Sequence, residues 1–319
     1  MGFLTAGIVR TALEVGLIYS LVALSLFISF SILNVCDLST DGCYTLGCAG
    51  GAVVTIAGHP LLAIPMAMAA GVCSGFVTAT LQTRFGVQSI LAGIIVNTGL
   101  YTINLAVMGF SSNVSIFGTD TIFSMFGSLS ESGIWHDWSG LILLVLVLIL
   151  ICLIIRWFLS TRLGLSIRAT GDSMAMVRAS SINPSLMITV GLCFSNALTG
   201  LAGCLIGQYN KTCDINLGTG MVTVALASLV IGETISGKRR MTRRIFCVVL
   251  GSCLYRMIIS IALRLNVPTE AFKLVSALIV CIAIAAPQAR KMVGFQARKA
   301  AAVYSRRRSV PGGDQNAEN

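Results

Sequence analysis

Leu163–Pro184 reads LGLSIRATGDSMAMVRASSINP and stands between two strongly apolar stretches, 139–159 and 186–208. It carries three charges, Arg168, Asp172 and Arg178, two glycines, and the pair Asn183-Pro184 at its end. Each flank is long enough to cross a hydrocarbon core, which takes about 20 apolar residues. Charges and irregular backbone are costly in lipid, so this polar island must lie at a membrane surface. Asp172 or Ser173 can cap a helix of roughly two turns, and Asn183 followed by Pro184 is expected to end it. Plain connectors in helical bundles are usually shorter than this island, so its length asks for a purpose.

The rest of the chain fits that reading. Of 319 residues, 55% are apolar and only 11% charged, with a mean hydropathy of +0.88. Soluble domains average about 25% charged residues, so an all-α, polytopic membrane helical bundle is expected. About nine spans are legible: 12–33, 42–58, 61–82, 88–110, 139–159, 186–208, 221–235, 245–263 and 272–289. The spans 42–58 and 221–235 are short and rich in small residues, and His59-Pro60 marks a tight turn. Arg10 precedes the first apolar run without a small-residue cleavage pattern, which reads as a first span and not a removed signal.

The net charge of +10 is a matter of topology. Arg162, Arg168 and Arg178 mark 160–184 as cytoplasmic, Lys238, Arg239, Arg240, Arg243 and Arg244 mark 236–244, and Arg290, Lys291, Arg298, Lys299 and Arg306–Arg308 mark the tail. The loop 111–138 has Asp120, Glu131 and Asp137 with no Lys or Arg, so it faces outside. Arg84 in the 83–87 turn then falls inside. These anchors place the C-terminus in the cytoplasm and the N-terminus outside. Charge gathered at membrane edges argues for contact with membrane lipid and against nucleic acid.

Cys36-Asp37-Leu38-Ser39 and Cys213-Asp214-Ile215-Asn216 match at an offset of 177 residues, and each precedes a short span. The offset carries 61–82 onto 238–259 and 88–110 onto 265–287, both over expected spans. The two Asp loops fall on opposite sides, so the chain reads as an inverted repeat, an architecture of transporters. The halves are about 12–110 and 186–289, with span 139–159 and the island 160–184 between them. Residues 1–290 then form one transmembrane domain, and 291–319 a basic, then disordered, tail.

Asn97, Tyr101 and Asn104 share one helix face, and Ser195 and Asn196, with Thr199, form a second polar patch. Such groups turn from lipid toward protein or a water-filled path; interhelical hydrogen bonding and path lining explain them equally well. Gly47/Gly51, Gly71/Gly75 and Gly203/Gly207 provide small surfaces for close helix approach. Arg256 lies within the eighth span and is expected to snorkel or to pair with Glu14 or Glu270. Glu233 is expected to pair with the neighbouring basic cluster. The 11 cysteines follow no zinc or disulfide spacing and read as packing residues. His59 and His136 are far apart, and no nucleophile–base pattern is present. No catalytic, metal or cofactor residue is therefore expected.

Three blocks resemble the ABC-importer permeases of the branched-chain amino acid and ribose type: RATGDSMAMVRASSIN (Arg168–Asn183), CDLSTDGCYTLGCAGGAV (Cys36–Val53) and SNALTGLAGCLIGQYNKTCDINLGTGMVTVALASLVIGE (Ser195–Glu233). The chain looks most like the amino-acid subgroup that works with a lipoprotein receptor, aromatic amino-acid systems included. The similarity covers roughly 12–290. One departure is Thr40-Asp41-Gly42 after Ser39, where the family usually has Val-Gly.

The resemblance implies a type II importer-like bundle, multi-pass in a bacterial inner membrane. It implies a second permease copy, a separate ABC ATPase below and an extracytoplasmic substrate-binding lipoprotein on the 111–138, 209–220 and 264–271 side. The island becomes the coupling segment, with Arg168, Gly171, Asp172, Arg178 and Asn183 as ATPase-coupling residues. Asn97, Tyr101, Asn104, Ser195 and Asn196 become path residues. Gly232–Lys238 (GETISGK) imitates a phosphate loop, but Arg239 stands where a Ser or Thr should hold magnesium, so ATP belongs to the partner. The expected solute is an amino acid, with nucleosides or sugars next. An ion-coupled secondary transporter is the competing class, and it would need an acid deep in a span, where none is evident.

Overall fold

The structure, a computed structural model, describes residues 6–128, 134–236, 240–264 and Cys281. The expected span 272–289 (apart from Cys281), the second repeat's image at 265–287, the tail 291–319 and the loop residues 265–271 lie outside these. So do Glu131, Lys238, Arg239 and Glu270.

Eight of the nine expected spans appear as helices. The first is α1, Ala6–Leu26, which runs on as a π-helical turn, Phe27–Ile32. Then come α2 (Thr40–Ile56), α3 (Pro60–Thr83), α4 (Ser89–Val107), the short α5 (Ile122–Ser128) and α6 (Ile134–Ser160). The island forms α7 (Arg162–Asp172) and α8 (Met174–Ala179), and α9 (Pro184–Asn210), α10 (Met221–Ser236) and α11 (Met241–Arg264) complete the order. Among the described residues, six helices are long and apolar enough to cross a membrane. The other two, α2 and α10, have 17 and 16 residues.

The shortness of α2 has a local cause. The π turn ends at Asn34, whose φ of +57° is a left-handed conformation that asparagine tolerates better than most side chains. Leu33 and Val35 return their N–H groups to the carbonyls of Ile28 and Ser29. The chain then runs irregularly through Ser39, so α2 starts only at Thr40. By that point Asp37 lies against Asn196, near the middle of the 27-residue α9.

α9 is the mast of the bundle. Of its most apolar window 83% is buried, against 28% for α4, so α9 packs on protein while α4 turns most of its surface outward. Its glycines let two neighbours approach at backbone distance. A methyl group at Gly47 would strike the Gly200 carbonyl, one at Gly203 the Tyr44 carbonyl, and one at Gly71 the Asn196 carbonyl. Gly75 meets the Leu192 carbonyl in the same way, and Gly51 and Gly207 face the sulfurs of Cys204 and Cys48. All three expected small-residue pairs therefore lie in the α2–α9–α3 seam, where close packing replaces a hydrophobic driving force. Cys43, Cys48, Cys204, Cys213 and Cys247 are buried and free, as packing residues should be, whereas Cys73 and Cys281 are exposed.

The two ends of the bundle differ in charge. α3 runs antiparallel to α9, with Ala67 against Gly200 and Gly75 against Leu192, which brings Arg84 to the end where Pro184 begins α9. The island sits at that end, since Gly171 abuts the Ile32 carbonyl, and so does Arg244, bonded to Ser31 and Glu233. At the other end Gln208 joins α9 to Pro60 and to Ile122. There β1 (Asn113–Ser115) pairs antiparallel with β2 (Thr212–Asp214), Val114 opposite Cys213. Arg84, the island and Arg244 thus share one end, and the 111–128 segment with Asp120 lies at the other, beside Lys211.

Candidate functional site

The island folds as two short helices where one was expected. Thr161 caps α7 by accepting the Gly164 N–H at 3.2 Å. Ser173 ends α7 and caps α8, its hydroxyl accepting the Met176 N–H at 3.3 Å. Asp172 is the last residue of α7 and caps nothing. Asn183 also departs from expectation: its Oδ1 accepts the N–H groups of Ser185 (3.0 Å) and Leu186 (3.4 Å), with Pro184 next. The pair starts α9 and does not stop α8, because Pro is suited to the first helical position, where its missing N–H costs nothing.

The buried face of the island consists of Gly164, Ile167, Thr170 and Val177. Arg168, Asp172, Arg178 and Asn183 are exposed beside the exposed side chains of Leu165, Met174 and Met176. A mixed apolar and charged surface of this kind is suited to a protein partner. Gly171 has another role. It lies where a Cβ would collide with the Ile32 carbonyl and crowd Leu33 Cα at 3.1 Å, so the island bears directly on the π turn of α1.

From that turn the chain leads to a polar cleft. Asp41, at the start of α2, accepts the Gly220 N–H at 3.0 Å on Oδ2 and the Val222 N–H at 2.8 Å on Oδ1. It thereby caps α10 from a different helix. Thr45 Oγ1 accepts the Gly218 N–H at 3.1 Å. The N-termini of the two short helices meet here, and a cavity of about 270 Å³ opens beside them, lined by Asp41, Thr45, Asn97, Tyr101, Asn104 and Asn216 among others. The three α4 residues singled out in the sequence are therefore brought together. Asn104 is buried and donates to the Gly42 carbonyl at 3.1 Å, Asn97 Oδ1 packs on Gly42, and Tyr101 is half exposed.

Ser195 and Asn196 do not join them. Ser195 Oγ bonds Ser25 at 2.9 Å, Ser25 also meets Thr199 at 2.7 Å, and Asn196 Nδ2 donates to Asp37 Oδ2 at 2.7 Å. Asp37, 1% exposed, takes two further bonds on Oδ1, from the Ser39 N–H and hydroxyl. This knot ties the 33–39 segment to the middle of α9. It also corrects the expectation that no acid lies at span depth. Asp37 is placed there because the loop expected between the first two spans lies level with the middle of α9.

Glu233 pairs with Arg244 at 2.7 Å as expected, and that guanidinium lies 5.0 Å from the Phe27 ring centroid. Arg256 does not pair with Glu14. Glu14 is held by Arg10 at 3.0 Å and by the Tyr209 hydroxyl at 2.8 Å, whereas Arg256 stacks over Tyr19 at 5.3 Å. Gly232 packs against Cys247 and Val248, the work of a packing glycine within α10 and not of a phosphate loop. Asp41, Thr45, Asn216 and Asp37 are the residues that spacing alone did not select. The four-letter match around Asp37 and Asp214 was the available signal: both acids make the same turn, to the N–H two residues on, at 2.8 and 2.7 Å.

Long apolar helices with a charged helix pair at one end fit a multi-pass membrane protein. The family model for the permease component of the branched-chain amino acid transport system matches residues 8–284, and the chain belongs to that family. It is a transport subunit of the ABC type and not an enzyme, and permeases of this kind work with an ATPase and a substrate-binding protein. The chain is 33% identical over 266 residues to the tyrosine transport system permease protein of Clostridioides difficile (strain R20291), covering 83% of this chain and 86% of that one. An uncharacterised protein of Rickettsia prowazekii (strain Madrid E) is 31% identical over 281 residues, 87% of this chain and 96% of its own. The ribose import permease protein RbsC of Escherichia coli (strain K12) is 27% identical over 208 residues, covering 62% and 60%.

Proposed function

We propose that this chain is the membrane-spanning subunit of an ATP-driven importer of an amino acid, an aromatic one foremost. Two copies form the path, an ABC ATPase docks on α7 and α8 from the cytoplasm, and an external lipoprotein delivers solute to the end carrying β1 and β2. The chain crosses the bacterial inner membrane about nine times, with its C-terminus inside, as two inverted halves around the island. The matching Asp turns before α2 and α10 support the repeat. So does the meeting of those two helices at Asp41.

The observation that carries the mechanism is the seating of Gly171 on Ile32. Arg168, Asp172, Arg178 and Asn183 face the ATPase, and closure of the ATPase pair moves α7. With no slack between Gly171 and Ile32, the π turn and the segment to Ser39 move too. Asp37 holds that segment to α9, so the motion reaches the start of α2 and the cleft lined by Asn97, Tyr101 and Asn104. Ser195 and Asn196 act as the anchor of this lever in place of path walls. The tyrosine-system relative supports an amino acid as solute, and the ribose permease supports a sugar as the second reading. Uptake of labelled L-tyrosine and of ribose into vesicles holding the chain, its ATPase and its receptor decides between them. ATP-dependent tyrosine uptake is expected, and ribose uptake alone would overturn the choice.

A further inference from the structure

The cleft between α2, α4 and the start of α10 has more acceptors than the protein fills. Asn104 is 1% exposed, its amide nitrogen is committed to the Gly42 carbonyl, and its Oδ1 has no partner. The Gly42 bond fixes which way this amide points, since only the nitrogen can serve a carbonyl. A buried acceptor left unmatched is costly, and native proteins seldom keep one without a use. Across the cavity, each Asp41 oxygen takes one backbone N–H and keeps a further lone pair. Thr45, Asn97, Thr98, Asn216 and Thr219 add small polar groups, and no described lining residue is basic. At about 270 Å³ the space falls just under the common range for drug-sized ligands, about 300–1,000 Å³. A small solute fits such a space.

We propose that this cleft is a transient station for a primary ammonium group, which donates hydrogen bonds to Asn104 Oδ1 and to Asp41 as the solute passes. Tyr101 at the mouth offers a ring face on which a cation or an aromatic solute rests. The inference rests on the amino-acid reading above and assigns to the permease a recognition step separate from that of the receptor.

The test uses the full chain in lipid nanodiscs without partners, with saturation-transfer NMR titrations of tyramine and of 3-(4-hydroxyphenyl)propionate, which shares the ring and lacks the amine. Tyramine should bind and the propionate should not. Asn104→Leu should weaken tyramine binding about tenfold or more, as expected from losing one hydrogen bond to a charged group. Asn104→Asp, which keeps an acceptor but cannot donate to Gly42, should bind at least as tightly as the parent chain. If Asn104 served only to tether α2, both variants would weaken alike, and that result overturns the proposal. Equal binding of the two probes, or none of either, overturns it as well. Amino-acid uptake by the intact system without tyramine binding refutes the station alone, whereas tyramine binding without amino-acid uptake refutes the solute reading.

Discussion

Asp41 ties together two helix starts that lie 179 residues apart at Gly220. Its two oxygens satisfy N–H groups that α10 cannot satisfy itself, because the first turn of any helix lacks internal acceptors. Asp41→Ala should therefore lower stability by about 0.5–2 kcal/mol, the usual range for a lost cap, read as a drop in thermal midpoint in detergent. Asp41→Asn keeps one acceptor oxygen and should fall between. Nothing local in the sequence announces this role. Asp41 looks like an ordinary first-turn acid of α2, and indeed it departs from the family's pattern at that turn. The same limit explains Arg256 over Tyr19 and Glu14 with Tyr209, contacts set by helix rotation, which hydropathy leaves free, whereas Arg10 and Glu14 stand four residues apart on one helix.

At the scale of elements, the island is the moving part in the proposed mechanism. Gly171→Leu would place a side chain where the Ile32 carbonyl stands and force α7 off the π turn. The expected result is a chain that inserts and binds its ATPase normally while the assembled complex hydrolyses ATP without uptake, measured as the ratio of solute moved to phosphate released. Arg178→Ala combined with Asp172→Ala acts on the other face. It should weaken ATPase binding or uncouple hydrolysis while membrane insertion, followed by protease resistance, is unchanged. Helices and loop positions were legible in the sequence because long apolar runs and Lys/Arg placement follow from the lipid environment itself. The small-residue seam was legible for a related reason: glycine at spacing four has few other uses inside lipid. What escaped was the depth of the loop before α2, since a polar gap between the expected spans 12–33 and 42–58 reads as a surface turn, and Asn183-Pro184, which serves equally to stop one helix or to start the next.

For the whole molecule, the seam of α2, α3 and α9 carries the bundle. Gly47→Leu or Gly203→Leu would drive a side chain into backbone that has no room to yield. Such overpacking typically costs about 1–3 kcal/mol, or more. Size-exclusion profiles of these variants should broaden or shift to aggregate, whereas Gly50→Leu, whose Cβ would meet nothing, should behave like the parent. The central claim is that α7 and α8 receive work from a separate ATPase and pass it through Gly171 and Ile32 to the cleft. The most direct measurement is L-tyrosine uptake by proteoliposomes containing this chain, its ATPase and its receptor, with ATP enclosed and the ion gradients collapsed. The account predicts ATP-dependent uptake that persists without gradients and is lost in Gly171→Leu. Uptake that requires an ion gradient, or that proceeds without the ATPase, would contradict it.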